Sequence, residues 1–102
     1  GGVTFIKEER QNIIPTTISL SQNYPNPFNP ETTISYNIQT ASQVSLKVFD
    51  VLGREIATLV NQFQQPGSYV KTLRATSLPS GIYFYRLQAG SFTSTKKMIL
   101  LQ

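Results

Sequence analysis

Between Thr33 and Leu101 the chain repeats one pattern: short stretches in which apolar and polar residues alternate, divided by glycine, proline and aspartate. Thr33 to Ile38 sets Ile34, Tyr36 and Ile38 on one side and Thr33, Ser35 and Asn37 on the other. Gln43 to Phe49 does the same with Val44, Leu46 and Val48 against Ser45 and Lys47. A period of two with β-branched and aromatic residues is the signature of a half-buried strand. Asp50-Val51-Leu52-Gly53 supplies a turn with a glycine free to take positive φ. Glu55 to Val60 reads as a further short strand, although Ile56, Leu59 and Val60 would also suit one helical face. Pro66-Gly67 turns the chain into Ser68 to Ala75, and Leu78-Pro79-Ser80-Gly81 turns it into Ile82 to Leu87. That last run is apolar on both faces, which predicts a central strand covered on each side or crossing an edge of the core. Ala89-Gly90-Ser91 closes a hairpin into Phe92 to Leu101. Strands at this spacing with no convincing helix predict an all-β, antiparallel β-sandwich of about seven strands. Ile34, Tyr36, Val44, Leu46, Val48, Ile82 or Tyr83, and Leu87 are its expected core.

A second feature precedes the strands. Asn23-Tyr24-Pro25-Asn26-Pro27-Phe28-Asn29-Pro30 holds three prolines in six positions. Each proline fixes φ near −65° and removes a backbone donor. Each residue before a proline is pushed toward extended geometry, and the asparagines are suited to bond their own backbone two residues on. The segment is stiff, with Tyr24 and Phe28 as apolar groups, one of which is expected to anchor it to the sandwich. It is either a rigid crossing loop that seals one end of the fold or a recognition epitope.

The chain of 102 residues suffices for one domain. Residues 1–17 differ from the rest. They hold a mixed charge run, Lys7-Glu8-Glu9-Arg10, and then Ile13-Ile14-Pro15. They read as a linker or the tail of a preceding passenger domain, with Val3 to Ile6 as a short edge strand in the alternative reading; residues 18–102 form the domain. No apolar run approaches the ~18–20 residues a membrane-spanning helix needs, and the first residues lack a signal-peptide pattern. An export signal, if there is one, is expected on a preceding part of the protein. Without cysteine there is no disulfide framework and no thiolate metal site. The net charge is +4, but the bases stand singly apart from Lys96-Lys97. Nucleic-acid binders cluster their bases on one face, so this dispersal argues for a solvated surface and against a nucleic-acid partner.

The chemistry available is thin. With no histidine there is no Ser–His or Cys–His pair and no ordinary proton shuttle near neutral pH. Asp50, the only aspartate, starts a turn that its side chain is placed to cap. The glutamates are scattered, and glycosidase chemistry needs two carboxylates facing each other across a cleft. The expectation is a protein that is not an enzyme, with no cofactor, no metal and no small-molecule substrate. Tyr83, Phe84 and Tyr85 invite a reading as a sugar-stacking platform, but neighbours on a strand point to opposite faces, and core packing is favoured.

The ordered series Gln22 to Pro30, Thr32 to Tyr36, Val44 to Asp50, Leu52 to Glu55, Thr58 to Val60, Pro66-Gly67, Leu78 to Leu87 and Lys96 to Leu101 resembles the C-terminal sorting domain of the type IX secretion system of Bacteroidetes-type bacteria, in its type A, immunoglobulin-like group. The resemblance runs from Leu20 to the terminus. It departs from the family's pattern after Pro66-Gly67, where Lys71, Leu73 and Arg74 stand in place of alternating apolar residues and a closing aromatic-acid pair. That strand is expected to be more exposed or shifted in register. A similar immunoglobulin-like fold occurs in the flagellar hook-capping protein.

The resemblance implies a secretion signal that directs a folded passenger through the periplasm and across the outer membrane. Its partners would be the type IX outer-membrane translocon and a surface sortase that cuts near the domain's N-terminal boundary, leaving the product secreted or on the cell surface. It points to Asn23, Tyr24, Pro25, Asn26, Pro27, Phe28, Asn29, Pro30, Asp50, Gly53, Arg54, Gly81, Tyr83 and Lys97 as recognition or motif residues. The competing readings are an accessory carbohydrate-binding module and a structural spacer or assembly domain of a larger extracellular protein.

Overall fold

The computed structural model describes residues 17–102. The linker reading of residues 1–17 and the alternative strand at Val3 to Ile6 therefore lie, but for Thr17, outside the described residues. Seven strands follow in order: β1 (Ser19–Leu20), β2 (Glu31–Ile38), β3 (Ser42–Phe49), β4 (Glu55–Gln64), β5 (Gly67–Arg74), β6 (Gly81–Ala89) and β7 (Phe92–Leu100). They form a three-stranded sheet β1-β2-β5 and a four-stranded sheet β4-β3-β6-β7, antiparallel throughout. The fold is an antiparallel β-sandwich, as the alternation predicts.

The core lies between the sheets and is built from the inward phase of each strand. Ile34, Tyr36 and Ile38 come from β2, Val44, Leu46 and Val48 from β3, Tyr83, Tyr85 and Leu87 from β6, and Met98 and Leu100 from β7. Of the pair Ile82 or Tyr83, it is Tyr83 that enters the core, whereas Ile82 is 41% exposed. β6 is central in its sheet, yet its outer face is open. Ile82, Phe84 and Arg86 form a partly exposed row there, so apolar character on both faces did not signal cover on both sides.

β4 runs four residues beyond Val60, and it carries two irregularities. Leu46 and Lys47 pair with Val60 and Thr58, and Val48 and Phe49 with Ala57 and Glu55, leaving Leu59 and Ile56 as extra residues. Each insertion steps the strand out of period two. That is why Ile56, Leu59 and Val60 imitate a helical face in the sequence. By contrast, β5 pairs with β2 without a break from Glu31↔Arg74 to Ile38↔Gly67. Its exposure comes from its place at the edge of the sheet and not from a register shift.

Candidate functional site

The Asn-Pro segment crosses from β1 to β2 along the outer edge of β7. Phe28 is its anchor, 2% exposed, while Tyr24 is 81% exposed and stands in solvent. The Phe28 N–H donates to the Ile99 carbonyl and the Leu101 N–H donates to the Phe28 carbonyl, both at 2.9 Å. The Asn26 Oδ1 accepts from the Ile99 N–H at 3.0 Å, and the Gln22 side chain donates to the Lys97 carbonyl at 2.7 Å. Asn26 therefore secures the last strand and does not close a turn on its own backbone. Asn23 does make the local bond, from Nδ2 to the Pro25 carbonyl at 3.1 Å. Pro25 and Pro27 face outward on this cover and have no N–H to offer, so the covered edge presents a poor template for a further strand.

A buried polar cluster holds the segment's entry. The Asn23 N–H donates to the Tyr85 hydroxyl at 2.8 Å, and that hydroxyl donates to the Ser21 carbonyl at 2.7 Å. Asn23 Nδ2 also donates to the Thr32 hydroxyl at 3.0 Å, and Thr32 donates to the Pro25 carbonyl at 2.8 Å. Burial pushes the Tyr85 phenol up to about 12, against the opposing pull of the Asn23 N–H. Thr32, Tyr85 and Gln22 belong to the motif series, but the series does not assign them to this cluster. The phase of β2 carried the signal for Thr32, because it lies in step with Ile34 and Tyr36 and so points inward.

Asp50, Gly53 and Arg54 form the β3–β4 turn. Asp50 Oδ1 accepts from the N–H groups of Leu52 and Arg54 at 2.9 and 3.0 Å, and Oδ2 pairs with the Arg54 guanidinium at 2.7 Å. These contacts, the Arg54 N–H foremost, hold the Asp50 carboxyl below its ordinary value. Gly53 sits at φ 82°, the left-handed region where a side chain is strained. At the same end the β5–β6 loop brings up Leu78 to Gly81. The Tyr83 hydroxyl donates back to the Pro79 carbonyl at 2.6 Å, four residues upstream. This is the tyrosine-corner arrangement of immunoglobulin-like sandwiches. Tyr83 thus serves as an internal lock between β6 and the loop before it. A cleft of about 580 Å³ lies between the two loops, lined by Asp50, Val51, Leu52, Leu78, Pro79 and Ile82.

The anticipated residues meet at one end of the sandwich. Phe28 bridges to Leu100, Leu100 pairs with Gly81, and Gly81 and Tyr83 share the cleft with Asp50 and Arg54. Tyr24, Pro25, Asn26, Pro27 and Asn29 face solvent, Pro30 is half-buried, and Asn23 and Phe28 are interior. Lys97 stands exposed on the outer face of β7, across from Phe84. The three aromatics of β6 do not make a stacking platform, because Tyr83 and Tyr85 are core residues and only Phe84 turns outward.

A small immunoglobulin-like sandwich with a proline-rich strap along its last strand, and with its β3–β4 turn and Leu78–Gly81 loop meeting at one end, defines the class. The chain belongs to the family of secretion system C-terminal sorting domains, whose model matches residues 22–101. The family places it in type IX secretion as a C-terminal sorting signal of a larger protein destined for the cell surface or the exterior by way of the outer membrane. A comparison with curated proteins returns no match for this chain.

Proposed function

We propose that residues 18–102 act as a folded address: the type IX outer-membrane translocon reads the sandwich intact and carries the attached passenger out of the periplasm. A surface sortase then cuts within residues 1–17, and the domain itself performs no catalysis. The observation that carries this reading is the family match over residues 22–101, joined to the meeting of the β3–β4 turn and the Leu78–Gly81 loop at one cleft. Preorganised loops lower the ordering cost of being recognised, and a strapped last strand keeps the signal compact while attached to cargo.

The test is a periplasm-directed fluorescent protein carrying residues 18–102, expressed in a host with a type IX system. Export of the folded reporter is expected. Its loss in a Tyr24→Ala, Pro25→Ala, Pro27→Ala triple variant whose unfolding midpoint is retained would assign the exposed strap to recognition. A reporter that remains periplasmic with the intact domain attached, in a host that exports cargo of this type, refutes the proposal.

A further inference from the structure

Among the described residues all three side-chain carboxylates are in ion pairs: Glu31 with Arg74, Asp50 with Arg54, and Glu55 with Lys47. Among the described residues Lys71, Arg86, Lys96 and Lys97 make no ion pair. Two of these have a local reason to exist. Lys71 pairs in register with Ile34 and Lys96 with Tyr85, so each occupies the inward phase of an edge strand. An inward-pointing charge on an edge discourages pairing with another chain. Arg86 and Lys97 are not edge charges of this kind: both lie on the outer face of the four-stranded sheet, Arg86 stacked on Phe49 and within the field of Glu55, Lys97 with neither.

The register composes that face. Thr58, Lys47, Arg86 and Thr95 make one row across the sheet, Phe49, Phe84 and Lys97 the next, and Ile82 and Ile99 a third. The Arg86 guanidinium lies 4.5 Å from the centre of the Phe49 ring, which holds it flat on the sheet. Glu55 is at the rim, its carboxyl held low first by the Thr58 hydroxyl and then by Lys47 and Arg86. The face thus presents half-buried Phe49, Phe84 and Ile99 and exposed Ile82, with three cations and one already engaged carboxylate.

We propose that this outer face of β3, β6 and β7 docks an acidic protein surface, with carboxylates meeting Arg86 and Lys97 and an apolar side chain resting on the Phe84–Ile82 strip. Pre-positioned arginine and aromatic groups are what dominate protein interfaces, and complementary charge steers the encounter. A lipid surface fits less well, since anionic membranes select clusters of about 4–8 bases and this face carries Lys47, Arg86 and Lys97 only, the first already paired with Glu55. A nucleic acid fits less well because stacking needs open rings, and Phe49 is covered by Arg86. The proposal rests on the reading of the domain as a signal recognised while folded, and binding in vitro separates the two.

The experiment titrates the isotope-labelled 102-residue chain with a synthetic glutamate-rich peptide containing phenylalanine, followed by backbone amide shifts. Shifts are expected to cluster at Lys47, Phe84, Arg86, Thr95 and Lys97. Arg86→Glu with Lys97→Glu should weaken binding by ~tenfold or more at low salt, and Lys71→Glu by less than about twofold. Lys97→Glu alone, at an exposed site, reads the same effect if the double variant does not fold. Absence of peptide binding, shifts spread evenly over Lys71, or tighter binding at these positions by phosphatidylglycerol vesicles or a single-stranded oligonucleotide overturns the proposal. Export of a reporter by a variant that no longer binds the peptide overturns the face and leaves the sorting reading standing. Peptide binding by a domain that exports nothing does the reverse.

Discussion

Removing the ring of Phe28 should cost this domain a large part of its stability. The side chain is 2% exposed, and its backbone holds the strap to β7 through two hydrogen bonds at 2.9 Å. Truncating a buried phenylalanine to alanine costs ~3–5 kcal/mol in lost transfer free energy plus the cavity left behind. The strap has one way to avoid the cavity, which is to lift away. Lifting would forfeit both Phe28 backbone bonds and the Asn26–Ile99 bond, each contributing about 1 kcal/mol net, and would bare the β7 edge. Both routes cost about the same, so ~3–5 kcal/mol stands either way, against the ~5–15 kcal/mol of an ordinary domain. At ~4–8 °C per kcal/mol for a domain of this size, Phe28→Ala should lower Tm by at least ~12 °C. Tyr24→Ala is the matched control: the residue is 81% exposed, and the change should stay within about 0.5 kcal/mol. Urea and thermal unfolding of the two variants decide it. A Phe28→Ala loss under about 1 kcal/mol, or equal losses for the two, would refute the strap as a packed element.

Two further outcomes follow from the phenols. Tyr83→Phe deletes only the hydroxyl that donates to the Pro79 carbonyl, and should cost ~0.5–1.5 kcal/mol with the strand register unchanged by backbone shifts. Tyr85 is raised to about 12 from an ordinary 10.0, so the folded state favours the neutral phenol. Its contribution is complete below about pH 10 and is lost as pH rises toward about 12, up to ~2–3 kcal/mol. Burial raises Tyr36 as well and adds in the same direction. Urea midpoints falling steeply over that range in the wild type, and less in Tyr85→Phe, would confirm it; a flat profile would refute it.

The parts of the fold legible in sequence are those where a residue's environment follows from its neighbours along one strand. Alternation alone placed Ile34, Tyr36, Val44, Leu46 and Val48 inside, and turn chemistry placed Asp50 and Gly53 between β3 and β4. β4 blurred because its two inserted residues break the period, and an insertion is defined only against a partner strand. Tyr24 and Phe28 look alike in sequence, four residues apart on the same stiff segment. Only the position of β7 makes one an anchor and leaves the other in solvent.

The same division holds for the candidate site. The order and spacing of the motifs sufficed to identify the family, because turn glycines, prolines and period-two runs are local properties of the backbone. The meeting of Phe28 and Gly81 at one end was decided by topology, which pairs Gly81 with Leu100 and sets Phe28 beside Leu100. The bases show the contrast most plainly. Lys47, Arg86 and Lys97 are scattered through the chain, and their dispersal argued for a featureless solvated surface. Strand pairing places them in adjacent rows of one sheet face, around Phe49 and Phe84. Electrostatic patches depend on distance through space, and a sheet sets that distance by register between strands remote in sequence, which no local pattern encodes.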